Sequence, residues 1–291
     1  MLSPYAQGVF IAGGIYAVAA LGLYVAIASG QFSVAHAALM GLGGYGAAVA
    51  SVALGAPFWL ALLAGAAVGG AAGAVFAVLL RAMGGMLLGV ATIALGQAIS
   101  LTVTQVPALG GSLGYTGVPI RTTLWWTVLV LLVTLAVLAW LLRSSFGIAL
   151  LAAGRDETVA RSLGVSTFAV RVWAFGLGGA LAGVAGALQA HWVGLVDPNS
   201  LGFLANIPLY VFLVVGGSTT PRGAVAGAVG LTWLLELLRF SQTDRYWVLG
   251  LLLAATVLVR PQGLLVRRSL RAPAGRGAAP GRQAVSARSG R

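Results

Sequence analysis

Ala153-Gly154-Arg155-Asp156-Glu157-Thr158-Val159-Ala160-Arg161-Ser162-Leu163-Gly164 is a polar island in an otherwise oily chain. It sets two of the five acidic residues side by side, and no acid precedes Asp156. Apolar runs at about 124–142 and 171–193 flank it, each long enough to cross a hydrocarbon core of roughly 30 Å. An island between two such runs reads as a short helix held at a membrane face. Asp156 and Glu157 stand near its start, where the helix dipole favours negative charge. Glu157 and Arg161 are four apart in the favoured order, and Gly164 can take the left-handed conformation that ends a helix. Val159, Ala160 and Leu163 form a small apolar face suited to a partner's groove.

Composition extends this reading to the whole chain. Of 291 residues, 59% are hydrophobic and only 8% charged, and the mean hydropathy is +0.99. A soluble domain needs a charged exterior that this chain lacks. The apolar runs are continuous rather than alternating, which excludes a membrane β-barrel. The expected fold is all-α, a polytopic transmembrane bundle of about nine spans. They fall at 8–28, 33–53, 58–80, 85–106, 124–142, 171–193, 205–217, 223–240 and 246–260, with the polar loop at 143–170. Residues 1–265 form the membrane domain. Residues 266–291, rich in Ala, Gly, Pro, Ser and Arg, read as a basic, disordered cytoplasmic tail.

Charge and missing residue types narrow the function. There is no cysteine, hence no disulfide framework or thiolate metal site. There is no lysine either, so the Gly-Lys-Ser/Thr of a Walker-type phosphate loop is absent, and any ATP chemistry belongs to another chain. The net charge of +12 does not point to nucleic acid, because eight of the 17 arginines follow the last apolar run; such tails report topology and anionic lipid. With island and tail inside, 14 arginines are cytoplasmic and Arg121, Arg239 and Arg245 are external. Dropping Arg282, Arg288 and Arg291 still leaves 11 against three. Nine spans then put the amino terminus outside and the carboxyl terminus inside. The first run lacks a charged start and is too long for a secretory signal.

Glycines recur at small-xxx-small spacing: Gly65, Gly69 and Gly73; Gly179 and Gly183 with Ala187; Gly223 and Gly227. That spacing lets membrane helices approach closely. Gly41-Leu42-Gly43-Gly44-Tyr45-Gly46 fits G-x-G-x-x-G literally, but it has no preceding strand and no acid about 20 residues on, so it is not a dinucleotide site. Polar residues inside spans are costly and are functional candidates by default. His36, Thr92 and Gln97 are the expected path-lining set. Glu236 has a plainer reading as a partner of Arg239, and His191 as an interfacial residue.

The wider pattern is more specific. Arg143-Ser144-Ser145-Phe146-Gly147, Gly154-Arg155-Asp156 and Ser162-Leu163-Gly164-Val165 together resemble the cytoplasmic loop of branched-chain amino acid ABC transporter permeases. Gln31-Phe32-Ser33-Val34-Ala35-His36-Ala37-Ala38 is similar to that family's Leu-Ser-Leu-Gly-His-Ala segment. Gly110-Gly111-Ser112-Leu113-Gly114-Tyr115-Thr116-Gly117-Val118-Pro119 is similar to its external loop. Ala180–Leu188, Val215-Gly216-Gly217, Glu236-Leu237-Leu238 and Arg260-Pro261-Gln262-Gly263-Leu264-Leu265 follow in order, so the resemblance covers about 8–265 and is closer to the M than the H subunit. It implies an ABC importer permease fold and ATPase coupling through the 155–164 helix, with Gly154, Arg155, Asp156, Glu157, Ala160, Leu163 and Gly164 at the contact. It also implies a second, H-type permease, two cytoplasmic ATPase subunits that hydrolyse the ATP, and an extracytoplasmic solute-binding protein. No cofactor is expected on this chain. The solute would be a branched-chain amino acid, or urea, an amide or a similar small molecule. Two departures stand out: Gly96-Gln97 replaces the family's Gly-Glu, and the family commonly has a span before the first one here.

Two other classes predict different features. An ion-coupled secondary transporter would carry intramembrane acids or cations, and the central spans contain almost none. An intramembrane hydrolase would need a nucleophile and base, for which Ser33 and His36 are the nearest pair, without a third orienting group.

Overall fold

The computed structural model describes residues 3–237 and 244–259. These are helical almost throughout: α1 (Pro4–Ala28), α2 (His36–Val52), α3 (Phe58–Leu79), α4 (Gly85–Thr104), α5 (Leu124–Arg143) and α6 (Ser145–Arg155), then α7 (Glu157–Ser162), α8 (Thr167–Val193), α9 (Phe203–Gly216), α10 (Pro221–Leu237) and α11 (Asp244–Val259). Two short strands, β1 (Tyr115–Thr116) and β2 (Leu195–Val196), pair antiparallel with Tyr115 opposite Val196. The all-α membrane bundle expected from composition is the architecture found.

Helix α8 is the axis of the bundle and packs along α1, α2 and α3. It meets α2 and α3 nearly backbone to backbone, because glycines leave no side chain in between. A Cβ added at Gly65 would lie 2.9 Å from the Gly183 oxygen, and one at Gly69 would lie 2.9 Å from the Gly183 Cα. From α2, a Cβ at Gly43 would lie 2.9 Å from the Gly183 carbonyl carbon. The two small-xxx-small rows of α3 and α8 are therefore opposite sides of one contact. Lipid gives helices no hydrophobic reason to associate, so close dispersion contact must do it. The third row, Gly223 and Gly227, seats α10 on α9, where a Cβ at Gly216 would lie 2.7 Å from the Gly227 Cα.

Contacts fix which helix ends lie together. Gly154 at the end of α6 sits on the carboxyl end of α1, where a Cβ at Gly154 would lie 3.1 Å from the Gly30 nitrogen. At the other end of α8, His191 bonds Ser51 of α2 at 2.7 Å and packs edge-on against Phe58 of α3. Strand β2 and residues 197–202 follow there. Helix α10 runs antiparallel to α1: Gly13 faces Val229, Phe10 faces Trp233, and the Tyr5 hydroxyl donates to Glu236 at 2.7 Å.

The described residues do not show all nine expected spans. Among the described residues, α1, α3, α4, α5 and α8 are long and apolar enough to cross a bilayer, six spans if the bent α9–α10 pair is counted as one. The segments at 205–217 and 223–240 are not two independent spans. Helix α9 has 14 residues, about 21 Å at 1.5 Å per residue, short of a roughly 30 Å core. It meets α10 at 120°. Helix α9 descends beside the start of α2 while α10 returns along α1, so the pair enters and leaves at one end. Hydropathy cannot make this distinction, since two half-length helices are as oily as two spans. Helix α2 is likewise shorter than its predicted segment because residues 29–35 are not helical. The tail at 266–291 and Arg239 lie outside the described residues.

Candidate functional site

Two constructions stand out, the polar island and a buried polar cluster at the head of α2. In the island, the predicted single helix over 155–164 is two helices. Gly154 and Arg155 close α6, and the chain breaks at Asp156, whose φ of −151° is extended. The Asp156 Oδ1 accepts from the Thr158 and Val159 amides at 2.9 and 3.1 Å, which makes it the N-cap of α7. A carboxylate that captures these amides competes with continuation of the preceding helix. Leu163 caps α7 at its carboxyl end, and Gly164 follows with φ +81°, as the sequence predicts.

Glu157 turns inward. Its Oε1 accepts from Arg161 Nη2 and its Oε2 from Arg171 Nη2, both at 2.6 Å. Thr167 Oγ1 donates to the same carboxylate at 3.2 Å and accepts from Arg161 Nε at 3.1 Å. Partial burial would raise the carboxyl pKa, but the hydrogen bond and charge of Arg171, then Arg161 and Thr167, outweigh it and hold the group below its ordinary value. The result is a clasp between α7 and the first turns of α8. Arg171 Nε is buried and has no hydrogen-bond partner among the described residues, so Glu157 is the one acid answering that guanidinium. Ala160 is buried beneath α7, so the apolar pair presented outward is Val159 and Leu163, at 54% and 75% exposure. Ile148 of α6 is exposed as well, and Arg155 and Asp156 are exposed ahead of α7. Gly154, itself exposed, also seats the island on the end of α1.

The second construction begins where α1 ends. Residues 31–35 run back into the bundle as irregular backbone, and Gln31, Ser33, Val34, Ala35 and His36 are all buried. Non-helical backbone at membrane depth persists only where protein satisfies its polar groups. Here side chains do so. The Val34 amide donates to Thr92 Oγ1 at 2.8 Å, and the Ala37 amide to Asn206 Oδ1 at 2.8 Å. The Tyr210 hydroxyl donates to the Ser33 carbonyl. The Thr92 hydroxyl donates to the Gly89 carbonyl at 2.8 Å, and the Asn206 side-chain nitrogen donates to the Gly202 carbonyl at 3.3 Å.

His36 is 3% exposed and lies between α1 and α8. A Cβ at Gly22 would come 2.9 Å from its Nε2, and one at Gly178 would come 3.7 Å from its Cε1. Its Nε2 has no partner among the described residues. Ser33 Oγ accepts from the Ala35 amide at 3.4 Å, a local turn contact rather than an activated nucleophile.

Of the predicted path-lining set, Thr92 meets the Val34 amide, the His36 ring packs against Gly22 and Gly178, and Gln97 lies apart from both. Gln97 is exposed and accepts from the Phe203 amide at 3.4 Å, at the start of α9. Five residues along a helix turn through about 140° net, which takes Gln97 off the face that Thr92 uses. His191, in the last turn of α8, is 1% exposed and both its ring nitrogens are engaged, by Ser51 and the Ala187 carbonyl. Asn206, Tyr210 and Arg171 escaped the sequence reading. Asn206, a lone amide in an apolar run, could have been flagged by the rule that found Gln97; the pairing of Arg171 with Glu157, 14 residues away, could not.

Thr92→Val should leave the buried Val34 amide without an acceptor, at about 1–3 kcal/mol. The thermal midpoint in detergent should fall clearly, and Thr92→Ser should stay near the parent. Equal losses in both would show that the methyl packing, not the hydrogen bond, matters.

Comparison with known proteins identifies the family. The family model described as branched-chain amino acid transport system / permease component matches residues 5–259. The high-affinity branched-chain amino acid transport system permease protein LivM of Escherichia coli is 34% identical over 156 residues, 54% of this chain and 37% of that protein. Its Salmonella typhimurium counterpart is 35% identical over 137 residues, 47% of this chain and 32% of the relative. The autoinducer 2 import system permease protein LsrC of Escherichia coli is 34% identical over 137 residues, 44% of this chain and 40% of that protein. The match thus spans well under half of each relative. No solved structure matches.

Proposed function

The chain belongs to the branched-chain amino acid transport permease family, and we propose that it is one membrane subunit of an ATP-driven importer. In this reading the island docks on a cytoplasmic ATPase, which binds and hydrolyses the ATP. The importer holds two ATPase subunits, a second, H-type permease and an extracytoplasmic solute-binding protein. Island and carboxyl terminus then lie in the cytoplasm and the amino terminus outside the inner membrane, the side that the arginine distribution favours. The α9–α10 pair returns to the end it entered from, which keeps this assignment of the termini.

The observation that carries the reading is the clasp. Val159 and Leu163 face outward from α7, while Glu157 grips Arg171 of α8. Closure of an ATPase pair against α7 would pull on α8, and α8 contacts its neighbours through glycine backbones that transmit displacement without side-chain slack. The solute is a small molecule, and a branched-chain amino acid is favoured by the LivM relatives; the LsrC relatives support a wider class of small solutes.

The test is the double variant Arg155→Glu with Asp156→Arg. It should insert in the membrane normally and lose both uptake and co-purification with the ATPase. Undiminished uptake would remove the coupling role from the island. Uptake that survives ATP depletion would favour an ion-coupled secondary transporter.

A further inference from the structure

A cavity of about 480 Å³ opens at the end of the bundle away from the island, enclosed by α1, α2, α8, α9 and residues 195–200 of one and the same chain. Its volume falls within the range of about 300–1,000 Å³ typical of small-molecule sites. Gly41, Gly44 and Gly186 line part of it with bare backbone. Its lining is mixed: Gln189, Asp197, Asn199 and Ser200 are polar, whereas Ala37, Met40, Leu204 and Leu209 are apolar. Ala37 is also the residue whose amide is held by Asn206, so the cavity descends to the polar cluster at the head of α2.

Asp197 is the one acid in this lining. Its Oδ1 accepts from the backbone and side-chain nitrogens of Asn199 at 2.9 and 3.0 Å, both neutral donors. Among the described residues both ion pairs are made by Glu157, and no arginine answers the Asp197 charge. A carboxylate flanked by amide and hydroxyl groups suits a head group that is itself zwitterionic. The ammonium would meet Asp197, and the carboxylate would meet the Gln189 and Asn199 amides and Ser200. The apolar part of the lining would take an aliphatic side chain.

We propose that this cavity is a solute vestibule inside the single subunit, holding a small zwitterionic α-amino acid with its ammonium at Asp197 and its apolar side chain against Met40, Leu204 and Leu209. The proposal rests on the importer reading only for which end faces outward.

The absence of cysteine makes the test direct. Single cysteines are placed at Ala205 of the lining, at Leu113 in the exposed loop as a reactive control, and at Leu132 on the outer face of α5 as a lipid-facing control. A charged, membrane-impermeant thiol reagent is then applied from outside to vesicles holding the chain with its co-purifying partners, and ATP-driven uptake is measured in the same vesicles. Ala205→Cys should react nearly as fast as Leu113→Cys, and leucine should slow only the Ala205 site, several-fold. Adding Asp197→Asn should abolish the protection, and Asp197→Glu should keep it. Reaction no faster than at Leu132→Cys, or protection that is absent or survives Asp197→Asn, would overturn the vestibule. If uptake is intact while Ala205→Cys stays silent, the importer reading stands and the vestibule falls. Protection without ATP-dependent uptake would do the reverse.

Discussion

Gly183→Val should leave almost no folded protein to purify. Position 183 is where three helix backbones converge, with Gly43 of α2 on one side and Gly65 and Gly69 of α3 on the other. A branched side chain there has backbone, not flexible side-chain ends, in its way. Overpacking of ordinary cores costs about 1–3 kcal/mol through rotamer shifts. Here helices must separate, and the dispersion contact that replaces the hydrophobic drive in lipid is lost along α2–α8 and α3–α8 together. Against a total stability of about 5–15 kcal/mol, that is a decisive fraction. Monodisperse yield in mild detergent and thermal unfolding provide the measurement. Gly230→Val on α10, where an added Cβ meets nothing within 4 Å, is the matched control and should purify like the parent. Equal behaviour of the two variants would show that glycine packing does not hold the bundle together.

Reversing either charge of the clasp should uncouple transport without unfolding the bundle. Arg171→Glu places two carboxylates where an ion pair stood, and Glu157→Arg gathers three guanidiniums. Either change frees α7 from α8 while leaving the glycine contacts untouched. ATPase activity of the assembled importer should persist while uptake per ATP falls, by roughly 2- to 30-fold if the clasp carries about 0.5–2 kcal/mol of coupling. The double reversal, Glu157→Arg with Arg171→Glu, should recover a substantial part. Failure of rescue, together with loss of assembly in both single variants, would make the pair a purely structural element. The acid dependence has a definite sign. Because the Glu157 pKa is lowered in the folded protein, its contribution is complete above the ordinary carboxylate range and is lost as pH falls through the lowered folded value. Seating of α7, read by a fluorescent label on Leu163→Cys, should therefore hold constant at neutral pH and loosen only in acid. In Glu157→Gln it should be loose at every pH.

Much of this was legible beforehand, and for identifiable reasons. The membrane class followed from apolar runs that no soluble surface could balance. The stop at Gly164 followed from glycine's access to positive φ. The Glu157–Arg161 pair followed from helical spacing. The island as a separate polar helix was visible, but its division at Asp156 was not, because capping and helix continuation compete on nearly equal terms. Thr92 and His36 were singled out by the cost of polar atoms in lipid, and both are buried. The same rule gave Gln97 equal standing, since a hydropathy argument has no access to which face of α4 points inward. That Thr92 serves a backbone amide 58 residues earlier is likewise invisible in one dimension.

Local chemistry written into the sequence determined that this chain lives in a membrane, which stretch must face water, and which glycines could bring helices together. Tertiary structure decided what those features meet. It folded 203–237 back on itself rather than through the bilayer, because α9 is too short to cross and finds its polar partners on α2. It turned Glu157 away from the surface and onto Arg171. It also left a cavity bounded by α1, α2, α8, α9 and residues 195–200. Each outcome depends on contacts between residues far apart in the chain, and the free energy of such contacts is set by shape and distance rather than by composition.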